Sequence, residues 1–199
     1  MLLAYPGRAE ALVTAGLKEV LVGLNALDAA SDRITQREGG FGWTLAGIKR
    51  AAKAGLKVRI SVALSADNRD EVLRLPAFVA ASLPVAGVVL SLVRDAPAQH
   101  VLSLDELLAV SMSFVDACHT AGLTCEVAAK SRLRPCLVSR KRQFPGLLGS
   151  PSADVADPVV IPACGACAVA DRCSGLPGLD ALNLGALVPI PVAERDVSL

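Results

Sequence analysis

The sequence predicts an α/β fold with a parallel sheet, followed by a small irregular appendix organised by cysteines. Three observations predict it. The tripeptide Ala-Gly-Leu recurs at 15–17, 54–56 and 121–123. Each time it follows a helical pattern and precedes a β-branched run, as expected where a left-handed glycine ends a helix and passes the chain to a strand. Helical and strand-like segments alternate over the first two thirds of the chain, the pattern of parallel strands joined by crossover helices. Beyond residue 130 both patterns stop, and three of the six cysteines fall within ten residues of IPACGACAVADRCSG at 161–175.

The elements follow from local signals. Residues 9–15 read as a short helix, and 19–24 as the strand after the first joint. Leu45, Ile48, Ala51 and Ala52 keep helical spacing before the second joint, and 57–64 is the next strand. Residues 71–82 read as a helix in which Pro76 either introduces a kink or marks the true start. The run 85–92 is continuously apolar, as expected of a strand buried on both faces. Residues 104–121 form the longest helix, opened by Ser103 as N-cap with Glu106 three positions on, a capping box. A weaker strand follows at 124–127. The domain boundary is placed near 130, giving an α/β domain over 1–130 and an appendix over 131–199 that has little core of its own and needs a staple.

Composition excludes several classes. With 199 residues, 53% hydrophobic and 20% charged, the chain is globular rather than disordered. A net charge of +1 argues for neither nucleic acid nor an anionic membrane as partner. One Trp, one Tyr and four Phe leave almost no aromatic surface for stacking bases. The apolar run 83–93 is too short to span a bilayer, and the N-terminus lacks a basic segment before an apolar signal core. The chain reads as cytoplasmic, where clustered thiols hold metals more often than they form disulfides.

Cys164, Cys167 and Cys173 stand in the pattern C-x2-C-x5-C, bracketed by Pro162, Gly165 and Gly175. Three thiolates need a fourth ligand to close a tetrahedral zinc site or a four-iron cluster. Cys136, at the domain edge, is the candidate, with Cys125 in reserve. Spacing alone does not separate zinc from iron-sulfur. Cys118 and His119 are neighbours on a helix and point in different directions, so Cys118 reads as core, while His119 and His100 read as surface. Six of the thirteen residues from 130 to 142 are Lys or Arg, which reads as a solvated loop whose charge also offsets thiolates.

The stretch 2–92 resembles the second half of a radical S-adenosylmethionine (SAM) enzyme barrel. The residues carrying the resemblance are AGLKEVLVGLNALDAASDRIT, GGFGWTLAGIKRAAKAGLKVRISVALSADNRDEV and LRLPAFVA, through Asp28, Arg33, Leu45, Gly47, Ile48, Asn68 and Glu71. In that family a strand is followed by an Arg-containing loop, a T-L-x-G-I helix, and a strand leading to Asn before an acidic helix start. The C-x2-C-x5-C segment followed by Gly175 is similar to the auxiliary-cluster appendix of the same family, called SPASM or twitch.

The resemblance implies a partial (β/α) barrel, one auxiliary [4Fe-4S] cluster on Cys164, Cys167, Cys173 and Cys136, and SAM contacts at Asn25 and Ser61 by position. Relatives often carry Asp where Asn25 stands, and Asn where Ser61 stands. The family's C-x3-C-x2-C motif, whose cluster cleaves SAM, does not occur in this sequence, nor does the further auxiliary Cys, replaced by Pro177. The implied function is that of the C-terminal portion of a radical SAM enzyme acting on a substrate such as a peptide. The missing barrel half, or a partner chain, would cover the open sheet edge, and SAM would bind only with that half supplied. The alternatives are a non-catalytic zinc- or iron-sulfur-binding α/β protein and a degenerate gene remnant.

Overall fold

The computed structural model describes residues 2–93, 97–128, 158–159, 162–167 and 176–177. The chain divides into two compact units, Met1–Cys125 and Glu126–Leu199. The first is α/β. After a 3-10 turn at Leu2–Ala4 come α1 (Arg8–Thr14), β1 (Glu19–Gly23), α2 (Asp28–Thr35), α3 (Gly40–Lys53), β2 (Lys57–Leu64), α4 (Leu75–Ser82), β3 (Val88–Leu92), α5 (Leu104–Thr120) and β4 (Cys125–Val127). The strands form one sheet in the order β1-β2-β3-β4, and its pairs β1–β2 and β2–β3 are parallel.

All three Ala-Gly-Leu joints are Schellman caps. Gly16, Gly55 and Gly122 have φ of 95°, 94° and 73°. In each joint the glycine N–H donates to the carbonyl of the second-last helical residue and the leucine N–H to that of the third-last: Gly16 to Val13 and Leu17 to Leu12, Gly55 to Ala52 and Leu56 to Ala51, Gly122 to His119 and Leu123 to Cys118, at 2.8–3.0 Å. The capping box at Ser103 and Glu106 is present in both directions. Pro76 lies in the first turn of α4, where its missing N–H costs nothing, so it marks the helix start after a 3-10 turn at Val72–Arg74.

The core lies on one side of the sheet. Val58, Ile60, Val62 and Leu64 of β2 and Val88, Leu90 and Leu92 of β3 are buried, as are Ile48 and Ala51 of α3 and Phe114 and Val115 of α5. Helix α3 packs on β1 and β2, and α5 packs on β3. The alternate residues Arg59, Ser61, Ala63, Val89 and Ser91 are only half-buried.

This corrects the expectation for 85–92. The strand starts at Val88 and alternates buried with half-buried positions, so it is covered fully on one face. Gly87 precedes it with φ at 155°, and a Cβ there would run into the Thr124 hydroxyl and lie 3.0 Å from the Thr124 carbonyl oxygen. Arg33, which the resemblance places in a loop, lies in helix α2. Its Asp32 carboxylate accepts the N–H groups of Gly39 and Phe41 at 2.6 and 2.7 Å, clasping the start of α3.

In the second unit, β5 (Pro158–Val159) pairs antiparallel with β6 (Leu176–Pro177). Among the described residues no helix is long and apolar enough to cross a membrane.

Candidate functional site

The cysteine motif is partly within view. Residues Pro162–Ala166 form a 3-10 turn, and the Cys167 N–H donates to the Cys164 carbonyl at 3.1 Å. Pro162 presets the backbone at the start of this turn. A 3-10 turn places residues three apart on one side, so a C-x2-C pair on it suits two ligands to one centre. Both thiols are free and half-buried. The β5–β6 ladder pairs Val159 with Leu176, which brings together the two ends of the segment carrying Cys164, Cys167 and Cys173. Cys173 and Cys136 themselves lie outside the described residues, as does the basic run from 130 to 142. Among the described residues no three ligand side chains converge on one point.

Asn25 and Ser61 sit near the carboxyl ends of β1 and β2, the end at which open parallel sheets bind ligands. Ser61 pairs with Gly23 across the ladder and lies on the half-buried face. The Asn25 amide oxygen accepts the Ala63 N–H at 2.9 Å, so this side chain extends the β1–β2 pairing past the end of β1. Asn68 matters more than its place in the sequence suggests. It is 1% exposed, its amide donates to the carbonyls of Asn25 and Ala63 at 2.7 and 2.9 Å, and its oxygen accepts the Ser65 N–H at 2.9 Å. One buried amide thus holds the ends of two strands and the loop that follows β2.

Two further pairs tie the loop after β2 to the loop after β3 and to the first turn of α5. His100 Nδ1 lies 2.7 Å from the Asp67 carboxylate, and the Ala66 N–H donates to the His100 carbonyl at 3.0 Å. Arg69 bonds Glu106 at 2.6 Å. The Glu106 carboxyl is held below the usual carboxylate range by the Ser103 hydroxyl first, then by the Ser103 backbone and Arg69. His100 is on the surface, as its position in the sequence implies, but its pairing over 33 residues has no local signal.

Cys118 is buried and His119 exposed. Cys125, the reserve ligand, is buried too.

Among the described residues the outer edge of β1 is unpaired and borders an apolar groove of about 580 Å³, lined by Leu2, Leu12, Val20, Val22, Trp43 and Gly47, with Arg37 the one charged side chain among those described in its wall. Leu21 and Trp43 are about half exposed, and Tyr5 packs on Trp43 with ring centres 5.7 Å apart. No protein-family model matches this chain, and no curated protein matches it either.

Proposed function

We propose that this chain is the C-terminal portion of a radical SAM enzyme and binds one auxiliary [4Fe-4S] cluster through Cys164, Cys167, Cys173 and Cys136. The observation that carries the reading is the C-x2-C pair on a 3-10 turn, inside a segment whose ends are joined by β5 and β6. The consecutive strand order with a helix in each connection supports a partial (β/α) barrel, because right-handed crossovers in that order place every helix on one side of the sheet. The half-buried opposite face, with Ser61 on it, would then line the barrel interior.

In this reading the cluster supplies substrate binding or electron transfer. SAM cleavage depends on the C-x3-C-x2-C motif contributed by the other half of the barrel, with Asn25 and Ser61 contacting SAM once that half is present. A strand from that half, or from a partner chain, would pair with β1 and fill the groove beside it. Radical chemistry belongs to the cofactor, and these residues bind and orient.

The test is anaerobic reconstitution of the full chain with ferrous iron and sulfide. The expected result is a brown protein with about four irons and four sulfides per chain, reduced to background in a Cys164→Ser/Cys167→Ser variant. A colourless chain that takes up one zinc instead would replace this reading with the non-catalytic zinc protein, for which the missing C-x3-C-x2-C motif speaks.

A further inference from the structure

Strand β1 is five residues long, and among the described residues it pairs on one side alone, with β2. The Lys18 carbonyl accepts the Lys57 N–H and the Leu24 N–H donates to the Ser61 carbonyl, both at 2.9 Å. Backbone groups alternate along a strand, so Glu19, Leu21 and Gly23 turn theirs outward, away from β2. These three residues are exposed, Leu21 by 52%. More exposed apolar side chains stand around the edge: Leu17 two residues before the strand, Leu2 and Trp43 in the groove wall, and Tyr5 against Trp43. Glu19 is the one charge on the strand. An edge so little guarded is a template for another strand.

We propose that this edge pairs with the same edge of a second copy of the chain, antiparallel and centred on Leu21, in a twofold dimer. In that register the whole of β1 overlaps: Glu19 lies opposite Gly23 of the second copy, Val20 opposite Val22, and Leu21 opposite Leu21. The outward N–H and C=O groups of Glu19, Leu21 and Gly23 then face one another, as the hydrogen-bonded pairs of an antiparallel ladder require. A register centred on Val20 or Val22 leaves part of the strand unmatched. The side chains agree with the backbone. The valines continue the side of the sheet on which Val58 and Ile60 are buried, beside the groove. No like charges oppose each other. Glu19 of one copy comes to Gly23 of the other, a residue of the groove wall in which Arg37 is the one described charge, without an ion pair among the described residues. A carboxylate and a cation are thus brought to one rim, and the symmetry repeats the contact.

An N-terminal barrel half would use the same edge, so the two partners compete, and the dimer is the state of the chain without that half. The inference does not rest on the cluster, whose proposed ligands all lie in the second unit. The junction is small, so association is reversible and the chain is single at low concentration. Twofold pairing occupies this edge in both copies and stops at two.

The experiment is analytical ultracentrifugation of the reduced full-length chain from about 1 μM to about 200 μM, the range of weak interfaces. A reversible monomer–dimer equilibrium is expected, and the same one in Cys164→Ser/Cys167→Ser. Leu21→Lys sets two ammonium groups face to face and should raise the dissociation constant about tenfold or more, with the thermal midpoint at low concentration unchanged. Arg37→Glu should weaken the dimer by a smaller factor. In Leu21→Cys the paired positions stand about 5.5 Å apart between Cα atoms, within disulfide reach. Mild oxidation should then give a covalent dimer whose link joins residue 21 to residue 21, mapped by peptide mass spectrometry. The proposal is overturned by a chain that stays monomeric at the highest concentration, by a dimer that Leu21→Lys leaves intact, or by oxidation of Leu21→Cys that gives no link at residue 21.

Discussion

Strands β1 and β2 run side by side in register, with similar residues and different surroundings. Val20 and Val22 face the same side of the sheet as their partners Val58 and Ile60. Yet Val58 and Ile60 are 1% and 0% exposed, while both valines of β1 are only half-buried. The difference lies in the neighbours. Strand β2 has a strand on each side and α3 over it, whereas β1 has a strand on one side and a groove on the other. Apolar character makes a strand eligible for the core, and its position in the sheet decides how far it enters.

The comparison can be broken most directly at one rung. Ile60→Ala should cost about 2–5 kcal/mol of unfolding free energy, as truncation of a fully buried aliphatic does. Val22→Ala, its partner in register, should cost under about half as much; equal losses in denaturant titrations would mean that β1 is covered in solution. Next in size is Asn68→Ala, which leaves two carbonyls and an N–H without their partner at the carboxyl end of β1 and β2. A loss of about 2–3 kcal/mol is expected, with faster amide exchange at Ser65.

Leu21→Lys should change the stability of the chain alone by under about 0.5 kcal/mol, because this side chain is already half exposed. If the proposed function holds, it should weaken pairing with a strand added at the β1 edge, read as loss of co-purification or of a sedimentation shift with the N-terminal barrel half which that proposal implies.

The smallest effect is electrostatic. Glu19 bridges Lys57 at 3.0 Å and Arg59 at 3.5 Å across the β1–β2 ladder. The Lys57 hydrogen bond in the first place holds its carboxyl below the usual range. A lowered folded value means that the contribution is present above the ordinary carboxylate pKa and is lost as pH falls through the lowered one. Glu19→Gln should therefore flatten the acid side of the stability profile slightly and leave neutral pH nearly unchanged, since the pair is exposed.

What was legible in the sequence is what few consecutive residues determine. The three glycine joints and the Ser103–Glu106 box need only a handful of adjacent positions, and each formed as its pattern implies. Strand β2 matches its expected limits because alternation and a preceding joint bound it on both sides. Helix α2 was hidden, since DAASDRIT buries only Ser31 and so shows no apolar stripe. Nor does a run such as VVLSL say whether one face or two will be covered. The site was less legible still. Asn68 reaches Asn25 across 43 residues, and Asp67 reaches His100 across 33.

The strand order β1-β2-β3-β4 also bears on how this unit acquires its structure. Each strand pairs with the next one along the chain, so every ladder closes over a single crossover of one or two helices. Closure entropy rises only slowly with loop length, so each crossover adds a modest cost, although parallel pairing of this kind is slower to form than a local hairpin. The sheet can grow one β-α step at a time as the chain emerges during synthesis. Its first strand then remains at the growing sheet's outer margin, open to whatever pairs there.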